Sequence, residues 1–281
     1  MAMGRRRDRA RTPGLWIATN DLPRTGGHSF YQRLNQILDT HAFDEFVEAQ
    51  CAPFYAKTVG RPSLTPGTYF RLLLIGYFEG IDSERGIAWR TADSLALRGF
   101  LGLGLDEVPP EHSTISRTRR LIALETHRAV FTWILQILAT ADLVKGKTIG
   151  IDATTLGANA ALRSIVRRDS GETYQEFLTR LAQASGIETP TRADLARLDR
   201  KRPKKGRNTE WQHPHDPDAR ITKMKDGRTH LAHKAEHAVD LETGAVVGVR
   251  VQGADQGDTT TIAETVTTAA EELEAVAAVT D

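Results

Sequence analysis

Two aspartates close short runs rich in β-branched and small residues: Asp152 in "KTIGIDATTLGANA" and Asp281 in "AVAAVTD". An aspartate at the carboxyl end of a strand is held on rigid backbone at the rim of a sheet, and rims are where sites are built. Two carboxylates brought to one place offer hard oxygen ligands for Mg²⁺ or Mn²⁺. Two such ions about 3.5–4 Å apart activate the attacking oxygen and stabilise the leaving oxygen of a phosphodiester. Basic residues point toward the same substrate. "GRRRDRAR" opens the chain, and "RKRPKKGR" at 200–207 contains Arg202, Lys204, Lys205 and Arg207. Such clusters suit a phosphate backbone, although solvated surface segments account for charge alone equally well.

A third group lies in "HSTISRTRRL". With Ser113 as N-cap, the first turns of a helix would expose Thr114, Ser116, Arg117, Arg119 and Arg120. Short hydroxyls beside cations are what a helix in a DNA groove presents to bases and phosphates. An ordinary amphipathic helix with a charged outer face carries the same residues.

The remaining reactive side chains point to no second chemistry. Cys51, the single cysteine, cannot form an internal disulfide and reads as an inert thiol. His213, His215, His230, His233 and His237 lack a cysteine partner or an HExxH pair, so zinc is the minor reading. His237 reads as a strand histidine with no metal role. Trp211, amid the basic stretch, could stack on an unpaired base, but pinning a loop to the core is the commoner use of such a residue.

The chain has 281 residues, 40% hydrophobic content and a net charge of +1, enough for about two domains with real cores. The longest apolar stretches are too short or too interrupted to span a bilayer, and the N-terminus is basic without an apolar core segment, so a cytoplasmic protein with no membrane partner is expected. Up to about residue 145 the pattern is helical. Thr65 as N-cap, Pro66 in the first turn and Gly80 as stop define one helix, and Ser83 caps the next. "GLGLDEVPP" then breaks the pattern before the arginine-bearing segment, which continues as one long helix or two. The preceding helix and turn would complete a helix-turn-helix-like arrangement.

After residue 145 the period changes. "KTIGIDATTL" reads as a strand, "HLAHKAEHAVDLETGAVVGVRVQ" as two strands joined at Glu242–Gly244, "DTTTIAETVTTAAEELEA" as a helix and "AVAAVTD" as a last strand. Between the first two strands, residues 160–229 hold a helix at 172–184 and then a polar, Pro-rich, basic run that reads as an inserted arm. A strand, a hairpin, a helix and a parallel strand begin a ribonuclease H-like fold. In that fold the first and fourth strands are neighbours, which brings Asp152 and Asp281 together. The fold class is therefore α+β: an all-α, helix-turn-helix-like N-terminal domain, then an incomplete ribonuclease H-like α/β core with a long basic insertion after its first strand. The expected divisions are 1–58 (basic arm and leading helix), 59–145 (helical DNA-binding domain) and 146–281 (catalytic core, with insertion 160–229).

Specific motifs strengthen this. "IDATTLGANAA" resembles the first-aspartate motif of DDE-type bacterial insertion-sequence transposases, and "MKDGRTHLAHKAEHAVDLETGAVVGV" resembles their following hairpin. "VGRPSLTPGTYFRLLLIGYFEGIDSERGIAWRTADSLALRGFLGL" with "PPEHSTISRTRR" is similar to their helical DNA-binding domain. The resemblance, from about residue 59 to 281, implies a ribonuclease H-like core that cuts transposon ends and joins them to target DNA with Mg²⁺ or Mn²⁺. It implies Asp152 as the first acidic residue and Asp281 as the second, both catalytic and metal-binding. It also implies DNA as partner, a homodimer or larger synaptic assembly, and a nucleoid-associated location. The family's third acid, usually a glutamate, would lie beyond Asp281, so the chain reads as an N-terminal portion, inactive alone. A less favoured assignment takes Asp255 or Asp258 as second acid and Glu264, Glu271 or Glu272 as third. Asp258 reads better as a helix N-cap, and the glutamates read as a solvent-facing stripe. The reading from another class is a non-enzymatic, DNA-binding remnant that represses its element.

Overall fold

The structure is a computed structural model and describes residues 29–56, 63–202 and 206–280. These divide into two compact units, with the division between Val130 and Phe131.

The first unit is helical: α1 (Ser29–Thr40), α2 (Phe43–Cys51), α3 (Pro66–Phe78), α4 (Glu84–Asp93), α5 (Leu95–Phe100) and α6 (His112–Leu121), followed by the start of α7 (Leu124–Thr140). Local sequence explains the starts. Thr65 accepts from the Thr68 N–H with Pro66 in the first turn, Ser83 accepts from Gly86, and Ser94 accepts from Leu97. Each side-chain oxygen satisfies one of the orphan donors of a helix N-terminus. The unit is tied at Arg71 of α3, which is 7% exposed. Its Nη2 donates to Asp44 Oδ2 at 3.1 Å and its Nε to Asn35 Oδ1 at 3.1 Å. Asn35 Nδ2 in turn donates to the Phe100 carbonyl at 3.2 Å, so one guanidinium gathers α1, α2, α3 and α5. Gly67 permits this, because a Cβ there would lie 1.8 Å from Asp44 Oδ1.

Two expectations change in this unit. Residues 101–111 separate α5 from α6, whereas a helix-turn-helix needs a turn of about three or four residues. The segment is a loop braced by Arg98, whose Nη2 donates to the carbonyls of Gly104 at 2.6 Å, Leu105 at 3.2 Å and Glu107 at 2.6 Å. Ser113 is not the N-cap of α6; Glu111 is, without a side-chain cap. Of the two readings open for the segment after it, one long helix or two, the structure has two, with the break at Ile122 and Ala123.

The second unit holds the rest of α7, then β1 (Ile149–Gly157), β2 (Val166–Arg167), α8 (Tyr174–Ala184), α9 (Arg192–Lys201), β3 (Trp211–Gln212), β4 (Arg220–Lys223), β5 (Thr229–Asp240), β6 (Val246–Gly253) and α10 (Asp258–Thr280). The main sheet has four strands. β5 pairs with β1 along one edge and with β4 and then β6 along the other, all antiparallel. The β5–β6 turn is where the sequence places it, with Gly244 at φ +77°. The β5–β6 register shifts between Ala238 and Val239, and α10 packs so closely on Gly248 that a Cβ there would meet Ala269 at 3.2 Å. No single described helix is long and apolar enough to cross a membrane.

Residues expected to form a last strand are helical. α10 runs on to Thr280, because no glycine or proline interrupts it and alanine is the best helix former. Ala269, Leu273 and Val276, at helical spacing, pack with Leu135, Ala238 and Val247. The insertion is also more than an arm. Thr173 and Thr191 each make a capping box, opening α8 and the unforeseen α9. Ile165, Trp211, Ala219 and Leu231 form a buried cluster, and Leu178, Ala182 and Leu195 another.

The helix α10 covers the β5 face that carries Lys234 and Glu236, which are 5% and 1% exposed. Lys234 Nζ lies 2.8 Å from Glu236 Oε1 and donates to Thr261 Oγ1 at 3.0 Å, while Thr261 and Thr265 of α10 both donate to Glu236. Burial pushes the Glu236 carboxyl up, but the Lys234 and threonine hydrogen bonds and the Lys234 charge outweigh it and hold it down at about 2. At the end of β5, backbone N–H groups of Gly146 and Lys145 hold Asp240 at about 2 as well. Both carboxyls sit below their ordinary values of 4.5 and 3.8, so the stability they give is present above that range and is lost as pH falls toward 2. Urea unfolding of this unit at pH 3 should therefore show a lower midpoint than at pH 7. Lys234→Met, which strands a buried carboxylate, should cost about 3–5 kcal/mol at pH 7.

Candidate functional site

Asp152 does not end its strand. β1 continues through Ala153 and the β-branched Thr154 and Thr155 to Gly157, so Asp152 stands in mid-strand, directly across from His237 of β5. Strand alternation then settles its surroundings. Ile149, Ile151 and Ala238 pack in the cluster under α10, so Asp152, Thr154 and His237 face the other way. That face is partly open: Asp152 and Thr154 are exposed, His237 is half-buried, and Val249 and Val251 of β6 are 41% and 60% exposed. The Asp152 carboxylate accepts from the Ala153 N–H at 2.8 Å.

Asp281 lies outside the described residues, but the neighbouring-strand argument for it fails, because the residues before it belong to α10. Asp255 accepts from Asn208 Nδ2 at 3.1 Å, Glu264 pairs with Arg250 at 2.5 Å, and Glu272, expected on a solvent stripe, accepts from Thr132 Oγ1 at 2.6 Å. Among the described residues no group of three His, Cys, Asp or Glu side chains could hold a metal ion. A hard divalent cation takes about six ligands, mostly oxygen, so the described residues do not by themselves fit Mg²⁺ or Mn²⁺.

The histidines of β5 differ from one another. His230 Nε2 lies 2.8 Å from Asp226 Oδ2 and His233 Nε2 lies 3.1 Å from Asp216 Oδ2, while His237 makes no such bond among the described residues. His213 is buried, and its Nδ1 accepts from the His215 N–H at 3.4 Å. Trp211 pins the insertion: it is 2% exposed and meets Tyr174 and Phe177 edge-on at 5.1 and 5.3 Å. Cys51 is buried, and burial pushes its thiol up.

The candidate DNA-contacting cations separate into fixed and free. Arg119 ion-pairs with Glu84 of α4 at 2.8 Å, and its charge acts on the Tyr69 hydroxyl, whose oxygen lies 3.0 Å from His127 Nε2. Burial pushes that hydroxyl above its ordinary value while Arg119 pulls the other way. Arg119 thus ties α6 to α4, yet it stays exposed, with half of its side chain accessible. Ile115 and Thr118 are the buried side of α6, leaving Arg117 and Arg120 exposed with Ser113, Thr114 and Ser116 half-buried. Arg117 Nε folds back onto the Ser113 carbonyl at 3.1 Å and Nη2 onto Thr114 Oγ1 at 3.3 Å. In the insertion, Arg202 lies over the Phe177 ring, 4.8 Å from its centroid, and donates to the Tyr174 hydroxyl at 3.3 Å. It holds α9 to α8. Arg207 is exposed, and Lys204 and Lys205 lie outside the described residues.

The first unit and its exposed arginines have a counterpart among known families. Residues 21–121 match the family model described as Transposase domain (DUF772). The match ends at Leu121, the last residue of α6, and it supports a transposase role for the chain. No curated protein and no solved structure matches it.

Within the region that matches this family model, the two arginines should separate in stability. Arg119→Gln, which loses the ion pair with Glu84, should cost up to about 1 kcal/mol and lower the first unit's melting temperature. Arg120→Gln should leave it unchanged, as read by circular dichroism on the full chain.

Proposed function

We propose that the chain is the transposase of a DNA insertion sequence, binding the element's terminal repeats with its helical unit and carrying the strand-cleaving and strand-joining centre on its sheet. The observation that carries this reading is the transposase-domain match over 21–121, which takes in α6 and its outward arginines. Support for the catalytic half comes from the sheet. The strand order β6-β5-β1, antiparallel throughout, leaves one edge of β1 without a partner among the described residues, and that is how a ribonuclease H-like sheet begins. Asp152 stands exposed on β1 beside that edge.

In this reading Arg117 and Arg120 of α6, with Ser113, Thr114 and Ser116 beside them, contact the repeats, while Arg207 and the neighbouring lysines Lys204 and Lys205 add charge for the phosphate backbone. Cleavage is hydrolysis: a water oxygen bonds to phosphorus, the bond to the 3′-oxygen breaks, and that oxygen leaves as a hydroxyl. The hydroxyl then attacks a target phosphodiester: its oxygen bonds to phosphorus and gives up its proton, the phosphorus bond to the target's 3′-oxygen breaks, and that oxygen takes up a proton and leaves as a hydroxyl. Asp152 and Asp281 are the carboxylates proposed for Mg²⁺ or Mn²⁺, an ion that when bound supplies Lewis-acid activation. A homodimer or larger assembly holding two DNA ends, in the cytoplasm at the nucleoid, completes the proposal.

Two measurements test it on duplexes carrying the sequences that flank the gene. Replacing Arg117 and Arg120 with alanine should weaken binding and flatten the slope of log K against log salt by about 0.9 for each phosphate no longer neutralised. An unchanged slope would exclude α6 as the reader. Asp152→Asn should abolish cation-dependent cleavage and spare repeat binding; binding in the wild type with no cleavage at all would leave a DNA-binding regulator of the element.

A further inference from the structure

The register of β1 on β5 places Asp152 and His237 directly opposite each other, and opposed residues in an antiparallel pair point to one face with Cβ atoms about 5 Å apart. Across β5 from His237 stands Val249 of β6, and the neighbours along the same face are Ala235 and Val239. Asp152 is thus the charged residue nearest this imidazole in the sheet. The other two histidines of β5 are engaged by Asp226 and Asp216; His237 is half-buried beside exposed Asp152 and Thr154. Leu231 and Ala235 on its side of β5 are buried, at 2% and 3% exposure, whereas His237 stays half-buried; α10 covers the other side, with Lys234, Glu236 and Ala238.

We infer that His237 is a substrate-contacting residue: its ring N–H donates a hydrogen bond to a non-bridging oxygen of the DNA phosphate seated over Asp152. The inference rests on the transposase reading and deepens its site. His237 forms and breaks no covalent bond; a preorganised donor aimed at a phosphoryl oxygen holds the strand and favours charge accumulating there. Asp152, on the same face, opposes a bare phosphate by like charge. The two residues are therefore coupled through the DNA, and a residue that merely packs in the sheet has no reason to show that coupling.

The experiment uses the full chain in metal-free buffer with EDTA and a fluorescein-labelled, nicked 20-base-pair duplex as probe. Asp152→Asn should tighten binding several-fold by removing the repulsion. That gain should vanish in Asp152→Asn/His237→Leu and survive in part in Asp152→Asn/His237→Gln, whose amide keeps an N–H donor. The carbon-bound imidazole protons of His237, assigned by difference with His237→Gln, should shift in the Asp152→Asn protein when duplex is added. This second readout needs no leucine variant and stands if that variant fails to fold. A gain that persists without His237, no gain in Asp152→Asn, or unmoved ring signals overturns the inference while leaving DNA binding by the helical unit intact. No binding of the duplex by any variant overturns the transposase reading, and this inference with it.

Discussion

A buried charge fixes the second unit. Glu236 sits in the middle of β5 and faces α10, and it is tolerable there only because Lys234, two residues along the same face, and the hydroxyls of Thr261 and Thr265 meet it. The lysine and the carboxylate come from the strand and the two hydroxyls from the helix, at i and i+4, so the network forms in one register of helix on sheet. Sliding α10 by one residue would leave a carboxylate desolvated without donors, at a cost of several kcal/mol. The position of α10 decides which face of β5 is closed and therefore which face keeps Asp152 and His237 open.

The first unit follows the same logic with arginine. Arg71 is buried against Asp44 and Asn35, Arg98 braces the loop before α6, and Arg119 joins α6 to α4 through Glu84. Guanidinium groups suit this work because a planar fork of donors can serve several acceptors at once. Arg117 and Arg120, one turn or less from Arg119, are left on the outer side of the helix by the burial of Ile115 and Thr118. A run of basic residues thus divides into those that build the surface and those that form it. The division gives the first unit its candidate contact face.

The insertion between β1 and β4 shows how a polar composition can still pack. Trp211, Tyr174 and Phe177 meet edge to face, and the guanidiniums of Arg167 and Arg202 lie over the same rings. Arg167 also pairs with Asp169. Few apolar residues suffice because long basic side chains cover the aromatic rings with their stems and keep their charged heads wet.

Much of the local structure was determined by sequence alone, because caps and turns are written in residues close together. Thr65 with Pro66, Ser83, the Thr173 helix and the turn at Glu242–Gly244 all stand where near-neighbour chemistry puts them. The residue types of the site, an aspartate in a β-branched run and arginines on a short helix, were legible for the same reason. What tertiary structure decided was how far each element runs and what it faces. The segment ending in "AVAAVT" has the composition of a strand or a helix, and burial of Val276 beside Leu135 and Ala269 made it helix. Asp152 became a mid-strand residue because β5 offers partners as far as Gly157. The pairing of Asp152 with His237, and the separation of Arg119 from Arg120, depend on contacts between residues far apart in the chain or on opposite sides of one helix. Only the packed chain, in which each side chain competes for burial and for hydrogen-bond partners, sets those contacts.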